Sequence, residues 1–163
     1  MLSTILKEQL NMTLSKLIER TVSIALQKKW DTLYWCIDLH GTIVNPTYKE
    51  LENGLDYYYL SKECLRILSE SKGNVLILYT CSHPHEIEKI LKLFWNDGII
   101  FKYVNENPEV KNTSYGFYEK KPYFNILLED KAGFDPNDWK EIYSMIGTQW
   151  WYDVCERLIL KNQ

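Results

Sequence analysis

The run Asn74 to Thr80 (NVLILYT) is apolar at nearly every position and then breaks into the polar cluster Thr80-Cys81-Ser82-His83. A strand with one wet face alternates apolar and polar residues, whereas a continuous run marks a strand buried on both faces, as in parallel sheets covered by helices. The stretch Leu33-Tyr34-Trp35-Cys36-Ile37-Asp38 repeats the pattern of a strand: β-forming residues drive straight into an acid, and a Gly41-Thr42 turn follows. Further strands are predicted over Ile99 to Val104 and Phe124 to Leu128, the latter ending in Glu129-Asp130. Helical segments separate them. Ser61 is placed to cap one that turns Leu65, Ile67 and Leu68 inward and stops near Gly73; Pro84 opens another bearing Ile87, Ile90, Leu91 and Phe94. Strands separated by helices imply right-handed βαβ units, and so an α/β fold: a doubly wound, three-layer sandwich with a mainly parallel sheet of Rossmann-like type.

A chain of 163 residues suits one domain. The expected layout is a helical extension over 1–31, with Leu6, Leu10, Leu14, Leu17 and Ile24 on its apolar face around Lys7 and Glu8, then a motif-bearing core over 33–135 and helices over 136–163. The segment Ile43 to Tyr59 reads as a flap over the strand ends. Asn105 to Lys121 reads as a long loop. The net charge of −3 and only three arginines, Arg20, Arg66 and Arg157, disfavour a basic nucleic-acid-binding module, while lysine contacts at a site stay open. Cys36, Cys64, Cys81 and Cys155 are scattered without a C-x-x-C pair, the usage of reduced thiols. No apolar stretch reaches the length of a membrane span, and the start lacks a secretory or mitochondrial pattern, so the expected location is cytoplasmic.

In parallel α/β sheets, chemistry collects at the carboxyl ends of the strands. The polar clusters here fall at those ends: Asp38-Leu39-His40-Gly41-Thr42, Thr80-Cys81-Ser82, Lys121 and Glu129-Asp130, with Asp135 just beyond. A carboxylate attacks phosphorus only if the substrate's charge is neutralised, and clustered acids need a cation. Asp38, Asp130 and Glu129 or Asp135 supply hard oxygen ligands suited to Mg²⁺. A Thr80 hydroxyl, a lysine ammonium and the N–H groups of the turn would hold phosphoryl oxygens. Structural roles compete: Thr80 or Ser82 as helix cap, Asp135 as cap before Pro136, Lys120 and Lys121 as a solvated pair, and Tyr57 to Tyr59, Trp139, Trp150 and Trp151 as core or interface. A cysteine-phosphatase loop fails because Ile87 stands where its arginine belongs. A transition-metal site of His40, His83 and His85 is disfavoured by the His-Pro-His spacing.

In this order and layout the residues resemble the haloacid dehalogenase-like superfamily of phosphohydrolases, in particular its short phage and bacterial members. The first family motif, D-x-D-G-T after a strand, resembles Asp38-Leu39-His40-Gly41-Thr42; the second, a strand ending in Thr or Ser, resembles Leu76 to Thr80. The motif lysine is similar to Lys121, with Lys120 its rival, and the acidic pair to Glu129-Asp130, with Asp135 as trailing acid. The resemblance implies Asp38 as nucleophile and metal ligand, the His40 carbonyl as a further ligand, and Gly41, Thr42, Thr80, Cys81 and Lys121 around the phosphate. It also implies Mg²⁺ as cofactor and a phosphorylated substrate. No insertion is large enough for the family's cap domain, so the site should be open to a bulky substrate, or be lidded by a second copy in a homo-oligomer. The chain departs from the family at His40, which replaces the second Asp, the proton donor and base. Imidazole can perform both transfers near neutral pH, but it also repels a neighbouring cation once protonated. Three readings follow: a Mg²⁺-dependent phosphatase acting through an aspartyl-phosphate, a degenerate member that binds a phosphorylated ligand or partner without turnover, and an enzyme of nucleotide or polynucleotide phosphates.

Overall fold

The computed structural model describes residues 13–160; Leu6, Lys7, Glu8 and Leu10 of the expected amphipathic segment lie outside them. In chain order the elements are α1 (Leu14–Gln27), β1 (Leu33–Asp38), a single turn α2 (Glu50–Asn53), α3 (Ser61–Glu70), β2 (Asn74–Tyr79), α4 (Pro84–Asn96), β3 (Tyr103–Val104) and β4 (Ile126–Leu128). Two 3₁₀ turns (Asp130–Ala132 and Pro136–Asp138), α5 (Trp139–Ile146) and α6 (Gln149–Ile159) complete the chain. All strand pairs are parallel, in the order β3-β2-β1-β4. This is a Rossmann-like α/β fold. Among the described residues no helix is long and apolar enough to cross a membrane.

The two faces of the sheet are covered differently. Leu33, Trp35 and Ile37 of β1 and Leu76 and Leu78 of β2 belong to one cluster with the buried residues of α1, α3, α4, α5 and α6. Trp35, Trp139 and Trp151 are fully buried in it, and Trp35 meets Trp151 edge-on. Side chains alternate across a strand, so Cys36 and Ile77, buried but outside this cluster, point to the other face. That side is covered by the segment 105–125, which contains no helix. Tyr34 donates from its hydroxyl to Glu109 and packs edge-on against Tyr123, and Asn107 donates from Nδ2 to the Tyr123 carbonyl. The connection from β3 to β4 therefore replaces the helical layer expected of a three-layer sandwich with a folded loop.

The flap is tied at its base. Val44 bridges Tyr57, the Asn45 N–H donates to the Asp56 carbonyl, and the Tyr58 N–H donates to the Ile43 carbonyl. Ser61 is not a cap: Leu60 precedes the helix at φ +65°, and the buried Ser61 hydroxyl bonds the carbonyls of Ile43 and Tyr58, fastening the flap to α3.

Candidate functional site

Register brings the strand ends together. Asp38 pairs with Tyr79 and Ile37 with Leu128, so Thr80 and Glu129 emerge on either side of Asp38. One oxygen from each of Asp38, Glu129 and Asp130 lies within 4.8 Å of the others, close enough for a single cation. Burial raises the Asp38 carboxyl to about 6, and the negative charges of Asp130 and Glu129 add to the rise against the lowering N–H of Leu39. Three carboxylates held this close repel one another, which is the electrostatic condition for cation binding. The donor set is oxygen only, as a hard cation prefers.

The turn after β1 is built for this proximity. Gly41 sits at φ +84°, and a Cβ there would lie 2.8 Å from Asp130 Oδ2, so any side chain would displace the acid. The buried Thr42 accepts the Asp130 N–H on its hydroxyl at 3.1 Å, while its carbonyl accepts the Trp139 indole N–H at 2.8 Å. A core tryptophan thereby holds the loop that presents Asp130.

Across from the acids, Thr80 ends β2. Its N–H donates to Asn105 Oδ1 (2.8 Å) and its carbonyl accepts from Asn105 Nδ2 (2.7 Å), so the amide adds a side-chain rung to the β2–β3 ladder beyond Val104. Asn105 adopts φ +56°, a conformation asparagine tolerates better than most residues. The Thr80 hydroxyl contacts Ser82 Oγ and accepts the Ser82 N–H. Cys81 is exposed; the other three cysteines are buried thiols, with Cys36 and Cys64 each pushed up to about 12 by burial.

Asp38, His40, Gly41, Thr80, Cys81 and Asp130 line one cleft of about 700 Å³. Pro46 and Tyr48 to Glu52 of the flap close one side, with His83 at the cap of α4, Glu86 and Ile90 within it, and Lys131 completing the wall. His40 Nε2 lies 2.9 Å from Glu50 Oε1, and its ring rests against Tyr48 at 4.6 Å between centroids.

No protein-family model matches the sequence, and no curated protein matches it. The chain is similar to the solved structure of a conserved protein from Bacteroides thetaiotaomicron, with 22% identity and a TM-score of 0.54 over 71% of this chain and 90% of that one. The likeness is one of fold.

Four sequence-derived candidates are not among the residues that line the cleft: the buried Thr42, Glu129, which still reaches the acidic group, Asp135 and Lys121. Asp135 accepts the Asn137 N–H on its side chain and donates its own N–H to Asp138, so it caps the 3₁₀ turn at Pro136 and is outside the acidic group. Lys120 and Lys121 are exposed at the end of the helix-free segment and do not line the cleft; Lys131 does. His83 and His85 stack on each other at the start of α4, where Glu86 accepts the His83 N–H, and neither joins the acids. Ser82 is accordingly not the cap residue. Tyr57 donates to Asp97 and faces Phe94 rather than the cleft. Sequence reasoning missed Glu50, Tyr48, Lys131 and Asn105. Lys131 directly follows the acidic pair, an adjacency that could have exposed it; the others lie in irregular segments with no periodic signal.

Proposed function

We propose that the chain is a Mg²⁺-dependent phosphohydrolase of the haloacid dehalogenase-like kind, acting on phosphate monoesters through an aspartyl-phosphate on Asp38. The observation that carries this reading is the convergence of Asp38, Glu129 and Asp130, with oxygens within 4.8 Å of one another, at a cleft that Asp38 and Asp130 line together with Thr80. Asp38 and Asp130, with Glu129, would hold the cation, which when bound neutralises the phosphoryl charge and orients the ester. One Asp38 oxygen attacks phosphorus, the bond to the leaving oxygen breaks, and that oxygen takes a proton from His40. Attack by water, with His40 as base, then releases phosphate and restores the carboxylate. Glu50 holds His40 at Nε2, which leaves Nδ1 to exchange the proton. The Thr80 hydroxyl and turn N–H groups receive phosphoryl oxygens. Two lysines compete for the cationic role: Lys121 through the family resemblance, Lys131 through its place on the cleft wall.

A second reading is a binding protein without turnover, favoured by His40 standing where the family has an acid–base Asp and by its engagement with Glu50. Phosphate release from a panel of monoesters separates the two. The hydrolase reading requires release that stops with chelator and in Asp38→Asn. It falls if no ester reacts while the protein still binds Mg²⁺ and phosphate, above all if His40→Asp then creates activity. Lys121→Ala and Lys131→Ala, assayed side by side, assign the cation: the variant that loses turnover identifies it.

A further inference from the structure

Tyr48 stands apart on the cleft wall. It is 72% exposed despite its aromatic ring, and it lines the cleft. Four non-glycine residues among those described have positive φ: Lys29, Tyr48, Leu60 and Asn105. Of these only Tyr48, at φ +56°, faces the cleft. A left-handed conformation at a residue of this size costs about 1 kcal/mol, and nothing in the core requires the ring there. One face of the ring rests on His40, which Glu50 anchors in turn; Glu50 is itself only 6% exposed. The ring is thus backed by the half-buried His40, two residues from Asp38, which the buried Glu50 anchors, with its remaining surface toward solvent.

We infer that Tyr48 is a stacking platform, and that the cleft takes a phosphate monoester whose leaving group ends in a flat aromatic ring, the chemistry of a nucleoside monophosphate. This rests on the reading of Asp38 as the phosphate-handling end. The cleft's size fits: about 700 Å³ lies within the range of small-molecule sites. Its charge argues for a single phosphate. Beyond the Asp38 group the wall carries Glu50, Glu52 and Glu86 against Lys49 and Lys131, which would repel further phosphates and can accept hydrogen bonds from the amino and imino groups of a base.

The test is titration of the full chain, with Mg²⁺, by AMP, ribose 5-phosphate and adenosine, followed by calorimetry and by tyrosine ring NMR signals. Tyr48→Phe and Tyr48→Leu bear the same backbone strain, so their difference reads the ring alone. AMP is expected to bind about tenfold more tightly than ribose 5-phosphate, from the usual gain of base–aromatic stacking. Tyr48→Leu should erase that margin, Tyr48→Phe should keep it, and neither should alter ribose 5-phosphate binding. Equal affinities for the two phosphates, or AMP binding untouched by Tyr48→Leu, overturn the inference. A 5′-phosphorylated oligonucleotide that binds more tightly than AMP overturns the single-phosphate assignment. Adenosine separates the two proposals: Tyr48-dependent adenosine binding with no phosphate release from any ester leaves the platform and removes the hydrolase. Release from AMP and ribose 5-phosphate alike, indifferent to Tyr48, does the reverse.

Discussion

Asp38→Asn should stabilise the cation-free protein at neutral and higher pH, and not near pH 4. An aspartate in an unfolded chain ionises near 3.9, whereas Asp38 in the fold ionises at about 6 because it is buried beside Asp130 and Glu129. Between those values the folded state keeps a proton that the unfolded chain has lost. Asp38 therefore favours folding fully below about pH 4, and that contribution disappears as the pH rises through 6. At about 1.36 kcal/mol per pH unit the gap is worth at most about 3 kcal/mol. Asp38 is partly solvated, and screening brings the expected cost to roughly 1–1.5 kcal/mol. Asparagine fills the same space and still accepts the Leu39 N–H, so the substitution removes charge and little else. At pH 8 without divalent ions, scanning calorimetry should find the variant melting ~2–5 °C above the parent, with the difference gone near pH 4. Adding Mg²⁺ should raise the parent by up to about 2.7 kcal/mol at a hundredfold excess over Kd and leave the variant unmoved. A variant that melts lower at pH 8, or a difference that ignores pH, would refute the cost of holding a buried Asp38 carboxylate beside two other acids. A parent indifferent to Mg²⁺ would remove the cation.

Gly41→Ala should abolish Mg²⁺ binding by calorimetry, because its Cβ falls 2.8 Å from Asp130 Oδ2 and its backbone is left-handed; unchanged affinity would show that Asp130 is free to move aside. Trp139→Phe should cost about 2–4 kcal/mol in urea unfolding, from the lost indole volume and the orphaned Thr42 carbonyl, and should weaken cation binding through Asp130. Asn105→Ala should cost about 2–3 kcal/mol by removing both bonds to Thr80 and placing alanine at positive φ, with the loss of amide protection concentrated at Thr80 in hydrogen exchange.

How much was legible in the chain follows from which forces act locally. The spans of β1 and β2 could be read directly, since strands buried on both sides are written as unbroken apolar runs. The runs at 99–104 and 124–128 overstate β3 and β4: Ile99 and Phe101 are apolar because they pack against Phe94 and the core, not because they pair in the ladder. The missing helical layer had a sign, since 105–121 reads as a loop, but the expectation of alternating elements overrode it. Among site residues, Asp38, Thr80, Glu129 and Asp130 announce themselves by ending strands. Asp135 shows the limit of the same rule, because an acid before a proline satisfies a cap as well as a cation. The His40–Glu50 pair was invisible: its partners are ten positions apart in a segment without periodicity, and only the fold of the flap brings them together.

The tied base of the flap carries one more consequence. Because Val44 and Tyr57 close the segment between them, residues 46–53 leave and rejoin the fold at one neck and touch it again through Glu50 and Tyr48 at His40. The strand ends hold the carboxylates, and the flap forms one wall of the cleft. Such a division makes the appetite of the molecule interchangeable: exchanging the short loop around a retained Glu50 would redirect what enters while every carboxylate at the strand ends keeps its place.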